Sequence, residues 1–366
     1  MSEISPSPKP CTRCECLPSP IQSTGRLYLW FPVKHSLTKV IQKLKLAGVD
    51  AQLLKDGQTL SITLAAPQSP ELSNILTTTL TNRELKDTQT LFVSGMQEPQ
   101  LEDFPKVTSL RQFISLNQAS WLLEILAAKR VTSHFQPIVE ANDTKIVFAQ
   151  EALLRGIAAD GSLINPGSML DVANDAGLLP QLDSVARKSA IFQAGRHCIQ
   201  EKLFINFSPT SIYDPVSCLR STLTAIKEVG IPHERIVFEV IESDRIQDVH
   251  HLKNILKFYR EAGFKVALDD FGAGYSNLNL LHQLRPDFLK LDMELIRNVH
   301  LDPYKALITE KILEIAQRLN IKTIAEGIES TEELCWVKEH GANFVQGYLI
   351  AKPSMLPVTT TPYIAA

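Results

Sequence analysis

The sequence predicts an α/β protein: a (β/α)8 TIM-like barrel with one antiparallel strand, preceded by a small α/β domain of ferredoxin-like pattern. Three observations predict it. From about Ser133 onward, eight strand-like runs alternate with mostly helical segments. Only "EANDT" separates the first two runs, too short for a crossover helix, so those two should pair as an antiparallel hairpin. Ahead of them the periodicities follow the order β-α-β-β-α-β.

Residues 1–24 are rich in Pro, Ser and Cys and read as an irregular lead-in. The small domain is expected over 25–105. It opens with the strand "GRLYLWFP". "HSLTKVIQKLKLAG" has helical spacing through Leu37, Val40, Ile41, Leu44 and Leu46, with Gly48 as a stop. "AQLLKDGQTLSITLA" reads as a hairpin turning at Asp56-Gly57. "SPELSNILTTTLTNREL" is helical and "TQTLFVSG" is a strand. One helix over "SLRQFISLNQASWLLEILAAK" is expected to connect the domains across 106–130. The barrel should occupy 131–356, with strands at "SHFQPIV", "IVFAQEALLR", "LFINFS", "RIVFEVI", "FKVALDD", "DFLKLD", "IKTIAE" and "NFVQGY". A tail, 357–366, follows.

The 366 residues are 44% hydrophobic and 21% charged, with a net charge of -3. Such a chain can bury a large core, and it gives no electrostatic case for nucleic acid or an anionic membrane. No apolar run reaches membrane-spanning length, and the first residues lack the apolar stretch of a signal peptide. The expected compartment is the cytoplasm, with the six cysteines reduced. "CTRCEC" brings Cys11, Cys14 and Cys16 close in sequence. A zinc ion there competes with a plain thiol-bearing tail, because no fourth ligand with paired spacing is evident.

The barrel strands share a pattern. At or near their carboxyl ends stand Glu151, Asn206, Glu239, Asp269, Lys290, Glu326 and Gln346. Two residues earlier, on the same face, stand Ala149, Phe204, Val237, Ala267, Phe288, Ile324 and Phe344. The inward face therefore reads as packed core below and polar groups at the mouth, where barrels of this kind carry their sites. Acids converging on one mouth repel, and a hard cation such as Mg²⁺ or Mn²⁺ compensates them through oxygen ligands. In "VALDDFGAGYSNL", Asp269 should face inward. Asp270 is expected to reach the same site because the strand breaks into Gly272 and Gly274.

These residues carry a resemblance. "EALLR" from Glu151 resembles the signature of EAL-domain cyclic di-GMP phosphodiesterases. "NFSP" from Asn206, "FEVIE" from Phe238, "DDFGAGYSN" from Asp269, "KLD" from Lys290, "AEGIE" from Ala325 and "QGYLIAKP" from Gln346 follow in order. The resemblance implies hydrolysis of cyclic di-GMP to linear pGpG with two Mg²⁺ or Mn²⁺ ions per site. By that likeness Glu151, Asn206, Glu239 and Asp269 hold the first ion. Asp269 bridges to a second, which Asp270 and Glu326 also hold. A metal-activated water attacks phosphorus in line with the leaving 3′ oxygen. Lys290 orients that water, Glu326 is also a candidate proton acceptor, and Gln346 hydrogen-bonds within the site.

Arg155 lies on the Glu151 face of its strand and suits a contact with the far half of a dinucleotide. Leu153 either packs a guanine face or is an ordinary core leucine. Glu242 resembles the family glutamate that anchors the Gly272–Asn277 loop, near which relatives often form homodimers. This chain departs from the family at Asn277, where serine is frequent, at Ile241, where threonine is common, and at Gly156, where an aromatic is frequent.

The alternative function is a catalytically silent cyclic di-GMP receptor or interaction module of the same fold, which usually lacks one or more of these acids. A dinucleotide-cofactor loop at Gly272-Ala273-Gly274 is set aside: it lacks the third glycine, and Asp269 and Asp270 would repel a pyrophosphate. There is no G-x-S-x-G and no H-E-x-x-H. His250-His251 reads as a solvated helix start and Trp336 as helix packing. The first 130 residues show no sensor signature, so the ligand or partner of the N-terminal domain is left open.

Overall fold

The computed structural model describes residues 11, 13–18, 21, 23–65, 69–95, 97–241, 248–272, 278–361 and 364. The chain divides into two compact units. The smaller comprises Cys16–Ala128 and Gly167–Leu179; the larger comprises Met1–Glu15, Lys129–Pro166 and Pro180–Ala366.

The smaller unit is built on five strands: β1 (Gly25–Trp30), β2 (Ala51–Leu53), β3 (Thr59–Leu64), β4 (Gln89–Ser94) and β5 (Thr108–Ser109). They lie in the order β2-β3-β1-β4-β5 with every neighbour antiparallel. Period-two alternation gives the sheet two apolar faces. Leu27 and Leu29 join Leu60, Ile62 and Leu64 in the main core, while Tyr28 packs with Leu91 and Val93 behind it. The helix Lys34–Leu46 covers the main face with Leu37, Val40 and Leu44, spaced one helical turn apart. Leu46, expected on that stripe, lies at the last turn and is 82% exposed. Asp56 makes the hairpin turn by accepting from the Gln58 and Thr59 N–H groups, each at 3.0 Å.

Two stretches that read as single helices are each broken. The first splits into Ser69–Thr79 and Asn82–Asp87, because Thr81 and Glu84 form a capping box that starts a new helix. The second splits into Leu110–Gln118 and Ser120–Ala127 at Ala119, so the connection across 106–130 is not one helix. Leu110 and Ile114 of the first half complete the small unit's core, whereas the second half is apolar on most of its faces. Arg111 also ties residues 167–179 into this unit, with Nη2 2.8 Å from Asp175 Oδ2.

The larger unit carries β6 (Val131–Glu140), β7 (Val147–Ile157), β8 (Leu163–Ile164), β9 (Lys202–Phe207), β10 (Ile236–Ile241), β11 (Lys265–Phe271), β12 (Phe288–Leu291), β13 (Lys322–Ala325) and β14 (Phe344–Val345). Eight of these close a barrel in the order β6-β14-β13-β12-β11-β10-β9-β7, with β7 returning to β6; the short β8 adds to β7. β6 is antiparallel to both β7 and β14, and the remaining barrel neighbours are parallel.

One buried residue from each barrel strand fills the interior layer: Ile138, Ala149, Phe204, Val237, Ala267, Phe288, Ile324 and Phe344. Fully burying a large apolar side chain of this kind stabilises by about 1.5–3 kcal/mol, so the layer is a solid floor rather than a pore. The outward residues of β9–β11 pack on the surrounding helices. Phe207 and Phe238, for example, meet Tyr259 of the helix Val249–Glu261. Among the described residues no helix is long and apolar enough to cross a membrane.

Candidate metal centre and active site

The pleat returns to the barrel interior every second residue. Two positions beyond the floor, the parallel strands therefore present Glu151, Asn206, Glu239, Asp269, Lys290, Glu326 and Gln346. β6 runs the other way, so its residue at that level is Gln136, two positions before Ile138. Gln136 is paired in register with Glu151. It was not singled out from the sequence. The signal was present, but it had to be counted backward from the apolar residue because the strand is reversed.

Lys290 is the hub. Its side chain is 1% exposed, and its Nζ lies 2.8 Å from Glu239 Oε1, 2.8 Å from Glu326 Oε1, 3.0 Å from Asp269 Oδ1 and 3.3 Å from Glu151 Oε2. Glu151 is held further by Asn206 Nδ2 at 3.1 Å and Gln346 Nε2 at 2.8 Å. Gln346 Nε2 also donates to Gln136 Oε1 at 3.2 Å, and Gln136 Nε2 donates to the Ala351 carbonyl at 3.1 Å.

These contacts set the electrostatics. Burial would pull the Lys290 ammonium toward its neutral form, but the four surrounding carboxylates outweigh it and hold its pKa well above the lysine range. Burial pushes each acid up. At Glu151 the Lys290 charge and the two amide donors prevail, so its pKa is lowered. At Glu239 burial and the neighbouring Glu151 charge prevail over Lys290, and the pKa rises well above the usual range. Burial likewise raises Asp269 and Glu326 against the pull of Lys290. Asp270 is pushed up to about 6 by burial and by Asp269.

The acids fall into two groups that share one member. Glu151, Glu239 and Asp269 form one; Asp269, Asp270 and Glu326 form the other. Within each, the ligand oxygens lie within 4.8 Å of one another. Adjacent residues on a regular strand face opposite ways, and β11 escapes that rule by a bulge. Its register against β12 shifts between Leu268 and Phe271, and Asp270 adopts a left-handed φ of 54°. β11 ends at Phe271, directly before Gly272, and Gly274 lies outside the described residues; what turns Asp270 is the bulge and its own backbone rather than the glycines alone. Aspartate is among the few non-glycine residues that tolerate this conformation.

The donor set fits divalent cations that prefer oxygen. Among the described residues Glu239 Oε2 has no hydrogen-bond partner, and Glu239 Oε1 and Asp269 Oδ1 have only the Lys290 ammonium beside them. Buried anionic oxygens without donors are costly alone. A hard dication is the partner their chemistry calls for.

Above the acids opens a cavity of about 280 Å³ that Glu151, Asp270, Glu326 and Gln346 line together with Asp292, Arg297 and Tyr348. Asp292 directly follows Lys290 and Leu291, and it caps the next helical turn by accepting from Glu294 N–H. Arg297 is fixed by Glu329 at 2.6 Å. Neither was singled out from the sequence as a site residue, since both lie past a strand end in loop-like sequence. Leu153 and Arg155 do not line this cavity. They continue along β7 beyond Glu151, and Arg155 Nη1 donates to the Leu154 carbonyl at 2.7 Å. Glu242 and the stretch 273–277, including Asn277, lie outside the described residues.

The cysteine expectation needs correction. The sulfurs of Cys11 and Cys14 gather with Cys218, not with Cys16, which is exposed. The reason is local. Glu15 N–H donates to the Cys11 carbonyl at 2.9 Å, closing one helical turn that puts residues three apart on one side and carries Cys16 past it.

Comparison with known proteins agrees with this architecture. The family model described as EAL domain matches residues 119–353. The chain is 33% identical over 235 residues to the probable cyclic di-GMP phosphodiesterase PdeB of Escherichia coli (strain K12), covering 63% of this chain and 44% of that protein. It is 27% identical over 248 residues to the signaling protein YkoW of Bacillus subtilis (strain 168), covering 30% of it. The chain thus spans less than half the length of these curated relatives. Among solved structures, a standalone EAL protein from Vibrio cholerae O395 in its c-di-GMP-bound form aligns at 39% identity. The TM-score is 0.57, over 63% of this chain and 95% of that one. The fold of Klebsiella pneumoniae BlrP1, at 24% identity and TM-score 0.56, covers 90% of this chain. On the matched span, and with the ordered polar mouth that carries it, this chain belongs to the EAL domain family.

Proposed function

We propose that this chain is a phosphodiesterase that hydrolyses cyclic di-GMP to linear pGpG. The single observation that carries the reading is the pair of acidic clusters sharing Asp269 at the mouth of the barrel. In this reading Glu151, Asn206, Glu239 and Asp269 would hold one Mg²⁺ or Mn²⁺, and Asp269, Asp270 and Glu326 a second. Two such ions supply a nucleophile at neutral pH and a clamp on the attacking and leaving oxygens.

The chain's own residues do the rest. Lys290, a cation ringed by acids, donates hydrogen bonds and holds the acids in place. Glu326 stands at the rim as the acceptor for a proton of the attacking water, while the 3′ oxygen takes up a proton as its bond to phosphorus breaks. Gln136 and Gln346 lock the Glu151 carboxylate in one orientation. Arg155 and Leu153 are assigned to the far half of the dinucleotide, and Glu242 to anchoring the loop after β11.

The smaller unit is proposed as a ferredoxin-like module, a reading supported by its strand order β2-β3-β1-β4. A homodimer acting in the cytoplasm accompanies this reading, and sedimentation with and without nucleotide tests the assembly. Activity is tested by chromatography of cyclic di-GMP incubated with the protein and Mg²⁺ or Mn²⁺. Linear pGpG should appear, and Glu151→Ala should abolish it. Nucleotide that binds but stays cyclic with either metal would favour the receptor reading instead.

A further inference from the structure

The mechanism leaves one chemistry-bearing cluster unused. Cys11, Cys14 and Cys218 bring three sulfurs within 4.8 Å of one another from two separate places in the sequence. Cys14 and Cys218 are each 2% exposed, and Cys11 is half-buried. The first two cysteines sit on the turn Cys11–Glu15. The third ends the short helix Pro215–Cys218, which Asp214 caps by accepting from Ser217 N–H at 2.8 Å. Both segments belong to the larger unit.

Free cysteines are common in cores, so burial alone says little. The convergence says more. A tetrahedral zinc–thiolate centre has bonds of about 2.3 Å, which places its sulfurs roughly 3.8 Å apart, inside the 4.8 Å that bounds the separations here. The turn is also braced as a ligand-bearing turn would be. Glu15 Oε2 accepts the Cys11 N–H at 2.8 Å, which commits that carboxylate to holding the loop. Burial and the adjacent Cys11 push the Cys14 thiol up, and a buried cation stands beside the cluster. Arg187, 1% exposed, interacts electrostatically with both Cys14 and Cys218 while paired with Asp183. Asp183 in turn accepts the Ser208 N–H at 3.0 Å, just past Asn206.

We propose that Cys11, Cys14 and Cys218 form a site for a thiophilic divalent cation, Zn²⁺ by class, with its fourth position open to solvent on the Cys11 side. Three thiolates and a dication leave one net negative charge, and the Arg187 guanidinium beside them is itself already paired with Asp183. The ion clasps the turn Cys11–Glu15 to the segment that follows β9. This site is distinct in chemistry from the acidic mouth, since soft sulfur ligands and hard oxygen ligands select different cations.

The test is Co²⁺ titration of the reduced full-length chain, read by sulfur-to-cobalt charge-transfer absorption. One equivalent should develop the band, and Zn²⁺ should displace it. Cys218→Ser and Cys14→Ser should each lose at least one thiolate's share of the band, while Cys16→Ser and Asp269→Asn should leave it unchanged. Differential alkylation of the unaltered protein provides a second readout that needs no variant. Zn²⁺ should protect the half-buried Cys11 but leave the exposed Cys16 and Cys198 reactive. A missing charge-transfer band, a band removed by Cys16→Ser but kept by Cys218→Ser, or alkylation of Cys11 indifferent to Zn²⁺ would each overturn the proposal. The acidic mouth yields no such band, so failure here leaves the phosphodiesterase reading standing.

Discussion

Lys290 Nζ stands 2.8 Å from Glu239 Oε1, and both side chains are closed off from solvent. Each makes the other tenable: a buried cation among acids is stable only while the acids are charged, and the acids need the cation. Removing one member of a buried pair typically costs about 3–5 kcal/mol. Lys290→Met should therefore lower stability by roughly that amount, with Mn²⁺ restoring part of it by neutralising the acids. It should also reduce turnover by about 10²-fold or more, in line with losing a preorganised donor. Thermal unfolding with and without Mn²⁺, beside single-turnover assays, measures both. A variant as stable and active as the parent would remove Lys290 from the centre.

Asp269 belongs to both acidic clusters and Asp270 to one. Asp269→Asn should weaken two cation equivalents, and Asp270→Asn only one, as counted by Mn²⁺ titration. Asparagine also tolerates the left-handed φ of residue 270. Burial and Asp269 push the Asp270 carboxyl up to about 6, so its charge at neutral pH works against the fold, and Asp270→Asn should be at least as stable as the parent there. Equal loss of both equivalents in the two variants would contradict the shared-ligand geometry.

Gln136 lines the cavity and meets Gln346, whose amide divides its hydrogens between Gln136 Oε1 and Glu151 Oε2. Gln136→Ala should leave the ligand set intact and loosen the orientation of Glu151. Partners of this kind are worth about 10–100-fold in metal affinity or activity. The expected result is weaker Mn²⁺ binding, with turnover at saturating Mn²⁺ recovering most of the way. Turnover that stays depressed at saturating metal would mean that Gln136 touches the substrate instead.

How much of this was legible in the sequence follows from which patterns are local. Strand alternation is local, so the floor from Ala149 to Phe344 and the polar residues two positions on could be read directly. Gln136 required knowing that its strand runs backward. The placement of Asp270 needed the bulge, which is a property of pairing with β12 and leaves no mark in composition. Cys218 could not be joined to Cys11 and Cys14 from spacing, because nothing in the chain between them signals the approach. The broken helices failed for another reason. Thr81 and Ala119 interrupt continuous helical periodicity, and the packing on each side decides the break.

Glu84 offers a pH test within the smaller unit. Its carboxylate accepts from the Thr81 N–H and hydroxyl at 2.9 Å each, from Ser36 Oγ at 2.7 Å and from Lys39 Nζ at 3.1 Å. The Thr81 N–H first, then Ser36, hold its pKa at about 2, below the 4.5 of an unperturbed glutamate. The folded state therefore binds this proton less readily than the unfolded chain does. The resulting stabilisation is complete above about 4.5 and is lost as pH falls toward about 2. Glu84→Gln should be less stable than the parent at neutral pH, and the gap should narrow through that window. Hydrogen-exchange protection in the helices Lys34–Leu46 and Asn82–Asp87 reads the effect within this unit alone. A gap that stays constant from neutral pH down through the window would show that the capping box, rather than the charge, carries the stability.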